Sequence, residues 1–385
     1  MARAVFPHPI HDLILNDIHS NQYDFADQIS KHFLDRSCLS LLALALTQSG
    51  KTGTMLSLVH HFMKHPDLSL PYENVFIITG LSSCEWLIQT KERFPTSLQS
   101  NVYHRNTLHK FKKNVMDKKN VLILIDETQV CFSQNQTIHT IFKELNMMDT
   151  NMLYKNDIKF VLFTATPLNP LDFKEYPFTR TLYMQPPKTY TSIFNLLENN
   201  RILMYKDLAG ALPGQDYSSL SRTMDSHSLP VRDDVFDFIR ELSPLLGSVP
   251  KFHIIRTKRA SLHNLTILNF KKVFPHYLFV SSLDLSDTIQ NFISTPPLQH
   301  TFLFIMDKLR CAQTIPKNHL GILYERFTPN PSLHSIVQGL AGRLTGYHSN
   351  LSSVVFTNPF IIRKYFHLWT NQFIHYRLPS ILIGN

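Results

Sequence analysis

The sequence is poor in cysteine, and none of its cysteines sits close to another. Cys38, Cys84, Cys131 and Cys311 lie far apart, with no C-x-x-C pair. This excludes a disulfide framework and a zinc ribbon, and it fits a reducing compartment. No apolar run approaches the roughly 20 residues that cross a bilayer, so no membrane partner is expected. The start, MARAVFPHPIHDLIL, lacks a basic region followed by a clean apolar core, so no secretory signal is expected either. Histidine is plentiful, but His60, His61, His104 and His109 form no metal-ligand constellation.

The 385 residues, 43% of them hydrophobic, are globular in composition and too many for one ordinary core. Two domains are expected. The formal charge of +9 and pI near 9.2 fit a polyanionic partner such as nucleic acid.

One stretch organises the chain: Leu41 to Ser57, LLALALTQSGKTGTMLS. It opens as a buried strand, breaks at a turn and resumes as a helix. Within it, ALTQSGKT has the spacing of a phosphate loop. Such a turn points the backbone N–H groups of Thr47, Gln48, Ser49 and Gly50 at a phosphate. The following helix adds its N-terminal dipole. Lys51 would reach the β/γ-phosphates, and the Thr52 hydroxyl would hold Mg²⁺. Upstream, Gln28 on a first helix could read the adenine edge with its amide, or it could be a surface glutamine.

The second strong signal is VLILIDETQ, Val121 to Gln129. Two carboxylates close a central strand. Unpaired charges there are costly unless they have work to do. Asp126 would hold the Mg²⁺, and Glu127 would orient and deprotonate an attacking water. A third strand runs into Thr164-Ala165-Thr166-Pro167, whose hydroxyls can bond Glu127 or its water and relay the nucleotide state. The strand NVFIIT ends in Gly80-Leu81-Ser82-Ser83, a candidate backbone-contacting loop at a strand carboxyl end. Trp86, on the next helix, reads as core. The basic stretch from Asn101 to Lys113, which includes Arg105, reads equally as a phosphate-contacting patch or a solvated helix face.

Residues 168–235 are turn-rich, with a helix expected near Tyr190 to Met204. Strand–helix alternation then returns without a second phosphate loop. A helix from Ile336 to Tyr347, IVQGLAGRLTGY, carries Gln338 and Arg343 among small residues. These residues suit either a bridging arginine finger or tight packing against another backbone.

The series ALTQSGKT, IDET, TATP, KLRCAQTIP and QGLAGR resembles the two-lobed core of helicase superfamily two, the DEAD/DEAH-like ATPases, over roughly residues 20–360. The resemblance implies an α/β fold of two tandem RecA-like domains, each a mainly parallel sheet flanked by helices. The expected limits are 1–185 for the ATP-binding domain, 186–235 for a linker or insertion, and 236–385 for the second domain. It implies ATP and Mg²⁺ as cofactors, with Glu127, Arg343 and Gln338 catalytic. Thr164 and Thr166 would couple the lobes. Gly80, Ser82, Ser83, Arg105 and Thr314 would contact nucleic acid. The expected activity is a helicase or translocase, with DNA favoured over RNA because motif II reads DETQ. An accessory protein could load it. An intracellular location is expected, in cytoplasm or nucleus, with a viral or mobile-element origin compatible. Gln48 stands where the family has glycine, and Gly346 stands where a second motif VI arginine is expected. The alternative is a degenerate nucleic-acid-binding scaffold with weak or no ATPase.

Overall fold

The structure is a computed structural model that describes residues 18–68, 70–128, 136–167, 180–222, 231–258, 261–309, 313–348, 350 and 352–373. The chain forms two compact units, Met1–Pro187 and Lys188–Thr370, and the residues from Asn371 return to the first.

The first unit is built on six strands: β1 Ser40–Leu44, β2 Val75–Thr79, β3 Val102–Tyr103, β4 Val121–Asp126, β5 Ile158–Thr164 and β6 Arg180–Tyr183. Their spatial order is β3-β2-β4-β5-β1-β6, and every pairing is parallel. β1, β2, β4 and β5 are buried along their whole length. Such continuous apolar strands need cover on both faces, and crossover helices supply it. Three of these helices matter for the site: α1 Ser20–His32, α2 Lys51–Lys64 and α3 Cys84–Arg93.

The second unit repeats the plan with β7 Ile202–Met204, β8 Phe252–Arg256, β9 Leu278–Ser281, β10 Thr301–Ile305, β11 Leu320–Tyr324 and β12 Val354–Thr357. The order is β7-β12-β11-β8-β10-β9, again all parallel. Phe270, Phe302 and Phe304 are fully enclosed in its core. The expected pair of tandem RecA-like domains, each a parallel sheet with flanking helices, is what the chain forms.

Three local readings change. The segment expected as a linker, 186–235, supplies the helix Ile193–Glu198 and the edge strand β7, which pairs with β12. The helix expected over Tyr190 to Met204 is therefore a short helix followed by that strand. The helix expected from Ile336 to Tyr347 is two short ones, Leu333–Val337 and Leu340–Arg343, broken at Gln338-Gly339.

Candidate nucleotide site

Strand register brings the first unit's chemistry to one edge. Leu44 of β1 lies opposite Thr164 of β5, Phe163 opposite Asp126 of β4, and Asp126 opposite Thr79 of β2. Four carboxyl ends therefore finish together, and the loops that leave them carry the expected motifs.

The loop after β1 is fixed from within. Ser49 Oγ donates to the Leu46 carbonyl at 2.7 Å. Gly50 precedes α2 in a left-handed conformation, φ 99°, which glycine adopts without a Cβ penalty. Gln48 also has a positive φ of 55°. That explains why glycine is the usual residue there and shows that this chain makes the same turn with a side chain attached. Lys51, the first residue of α2, is buried, and its Nζ lies 3.7 Å from Glu127 Oε1. Thr52 follows, half-buried.

Motif II is enclosed. Asp126 and Glu127 are both buried, and Glu127 turns into the left-handed region at φ 53°. A non-glycine residue held there marks a position that its surroundings over-determine, a frequent property of reactive sites. Asp126 Oδ1 accepts the Glu127 N–H at 3.0 Å, and Oδ2 accepts the Trp86 indole N–H at 3.0 Å. Burial raises the Asp126 pKa, and the Glu127 charge beside it raises it further, while Lys51 and the Trp86 hydrogen bond act the other way. Thr128 Oγ1 donates to the Phe163 carbonyl at 3.0 Å, tying the end of β4 to β5. Arg93, in the last turn of α3, places Nη1 3.5 Å from Thr52 Oγ1. Desolvation lowers the guanidinium pKa, and the Asp126 carboxylate opposes that shift. The donor set of one hydroxyl and one carboxylate, both hard oxygens, suits Mg²⁺ completed by water and phosphate.

Gln28 is exposed on α1, off the face that the helix buries. Gln22, in the first turn, is buried against the phosphate loop instead. A Cβ on Gly50 would fall 1.9 Å from Gln22 Nε2, and one on Gly53 would fall 2.0 Å from Gln22 Oε1. The signal was the helical period: Gln22, Phe25, Ala26 and Ile29 share the buried stripe, and Gln28 is off it.

The two threonines expected to couple the lobes bond each other: Thr164 Oγ1 donates to the Thr166 carbonyl at 2.9 Å and accepts the Thr166 N–H at 3.1 Å. Ser82 is exposed, Gly80 and Ser83 are half-buried, and Ser83 Oγ caps α3 by accepting the Trp86 N–H at 3.1 Å. Arg105 is brought to the same place, because its backbone N–H donates to the Leu81 carbonyl at 2.9 Å while its side chain is exposed. The helix Leu108–Val115 buries Leu108, Phe111 and Val115, leaving His109, Lys110 and Lys113 outward.

The remaining expected residues belong to the second unit. Thr314 is half-buried there, and the Arg310, Cys311 and Ala312 of its motif lie outside the described residues, as does Gln129 of DETQ. Arg343 is 1% exposed. Its guanidinium donates to the carbonyls of Gln313, Gln338 (2.9 Å) and Gly339 (3.3 Å). The expected finger is, in this arrangement, a buried brace. Gln338 takes part through its carbonyl oxygen, and its side chain is buried too.

No protein-family model matches the chain. The uncharacterized protein L594 of Acanthamoeba polyphaga mimivirus is 24% identical over 356 residues, covering 86% of this chain and 82% of that protein. Among solved structures, S. cerevisiae Dbp5 bound to RNA and ADP BeF3 aligns with a TM-score of 0.49 at 12% identity, over 95% of this chain and 93% of that one. The DEAD-box helicase Mss116 bound to ssRNA and UDP-BeF aligns at 0.42 and 13% identity, over 94% and 68%. No helix among the described residues is long and apolar enough to cross a membrane.

Proposed function

We propose that this chain is a nucleic-acid-stimulated ATPase of the superfamily-two type, acting as a helicase or translocase. The observation that carries the reading is the buried approach of Lys51 Nζ to Glu127 Oε1, 3.7 Å, at the edge where β1 and β4 end. A lysine on a phosphate loop beside a strained, buried carboxylate is the pair that phosphoryl transfer needs. One group holds the β/γ-phosphates, and the other orients and deprotonates water. Thr52 and Asp126 would hold Mg²⁺, which neutralises phosphate charge when bound. The Gly80–Ser83 loop with Arg105 would take the backbone of a strand, DNA in preference to RNA.

ATP turnover measured with single-stranded DNA, duplex DNA and RNA tests this. Stimulation by one of them is expected. Lys51→Ala should abolish turnover. Glu127→Gln should keep ATP binding and lose about 10²–10⁴-fold in rate. A Glu127→Gln protein that turns over at the parent rate would sink the assignment.

The three carbonyl bonds of Arg343 favour a second reading, a nucleic-acid-binding module with weak hydrolysis. Strand binding without stimulated turnover is its signature.

A further inference from the structure

Trp86 is one of two tryptophans in the chain and is 3% exposed. A buried indole N–H requires an acceptor, and a backbone carbonyl would serve. Here the acceptor is the carboxylate expected to hold the metal, Asp126 Oδ2, at 3.0 Å. The other oxygen, Oδ1, takes the Glu127 N–H at 3.0 Å. Both oxygens are thus held by fixed donors. A carboxylate oxygen has two acceptor lone pairs, so one hydrogen bond does not by itself bar it from ligating a metal. The indole is itself held in place. It lies in the first turn of α3, whose N-cap Ser83 Oγ accepts the Trp86 backbone N–H at 3.1 Å.

We infer that Trp86 is a positioning residue for Asp126, fixing the carboxylate in the rotamer that receives Mg²⁺ with the nucleotide. The inference rests on the proposed function. Hydrogen-bond partners of ligating carboxylates contribute to metal affinity by fixing the ligand before the ion arrives, typically by about 10–100-fold. The free energy resides in orientation, so the effect belongs to the metal and not to the nucleotide alone.

The test is calorimetric titration of the full chain with a non-hydrolysable ATP analogue, without divalent cation and across a Mg²⁺ series. Parent, Trp86→Phe and Lys51→Ala are compared. Phenylalanine keeps an aromatic ring and removes the N–H. The expected result for Trp86→Phe is a rise of about tenfold or more in half-saturating Mg²⁺, with metal-free affinity unchanged. Lys51→Ala should lose affinity with and without Mg²⁺. An unchanged Mg²⁺ half-saturation in Trp86→Phe overturns the positioning role. So does equal loss with and without metal, which marks a packing role. A parent chain that binds no nucleotide overturns the proposed function, and this inference with it.

Discussion

The amide of Gln22 lies over the start of α2 and restricts what the glycines there can become. A Cβ at Gly53 meets Gln22 Oε1 at 2.0 Å, but that oxygen is the far end of a flexible side chain. Alanine is also the better helix former, by about 1 kcal/mol. Gly53→Ala should therefore fold and expel the amide instead of breaking the helix. If Gln22 preorganises the loop, its expulsion and its removal are the same event. Gly53→Ala, Gln22→Ala and the double variant should all bind ATP about equally weakly, on the order of tenfold below the parent, because one ordered contact is worth about 1.4 kcal/mol. Gln28→Ala should bind like the parent. Additive losses in the double variant would show that the two residues act separately. The side chain of Gln28 is exposed, so the contrast is between two glutamines on one helix.

Among the elements, the two short helices at 333–343 show what sequence periodicity can and cannot reveal. Small residues predicted close packing, and Gly339 has it: a Cβ there would lie 2.3 Å from Glu325 Oε2 and 2.5 Å from the Ser335 carbonyl. The neighbours are a carboxylate and the backbone of the preceding helix. Glu325 accepts the Leu340 N–H at 2.9 Å and pairs with buried Arg256 at 2.7 Å. No local pattern announces that pairing, since β8 and β11 become neighbours only in the folded sheet. The strands were legible because buried parallel strands are continuous apolar runs, and the places of the loop before α2 and of the DET acids were legible because they follow such runs. Arg343 was not, because an arginine beside glycine reads alike whether it faces a ligand or closes a turn. Its geometry makes a definite forecast. Arg343→Ala removes one buried donor from the carbonyls of Gln313, Gln338 and Gly339, at a cost of about 1–3 kcal/mol for each group that this leaves unsatisfied. The variant should unfold at lower denaturant in the second unit, with every activity falling in proportion. A stable Arg343→Ala protein that binds ATP and has lost turnover would restore the finger.

For the molecule as a whole, acid should separate the two units. The second unit encloses His253, whose Nδ1 accepts the Ile322 N–H at 3.1 Å. Its Nε2 therefore carries the proton and donates to His300 Nδ1 at 3.0 Å, and His300 Nε2 donates in turn to the Gly247 carbonyl at 3.2 Å. Both rings are neutral in this chain of bonds, and a proton added at His253 Nδ1 would remove an acceptor from a backbone N–H. Burial pushes the His253 pKa down to about 3, with the electrostatic influence of neighbouring His300 and Lys251 adding to the shift. His263, bonded to Thr257 and Ser281, is pushed down to about 4, again mainly by burial. A histidine in the unfolded chain takes its proton near its ordinary value of about 6.5. Between that value and the lowered one, only the unfolded state is protonated, so stability is full above about pH 6.5 and falls as pH drops. Within that window each such histidine removes about 1.4 kcal/mol per pH unit. The chain provides its own reporters, because its two tryptophans, Trp86 and Trp369, lie one in each unit. In Trp86→Phe the remaining fluorescence follows the second unit, and in Trp369→Phe it follows the first. Urea midpoints taken from about pH 7 to about pH 5 should fall steeply for the Trp369 signal, and replacing His253 with glutamine should flatten that slope while lowering the midpoint at neutral pH. A Trp369 midpoint that holds steady across this range would mean that the His253 chain opens to water and takes up its proton in the folded state.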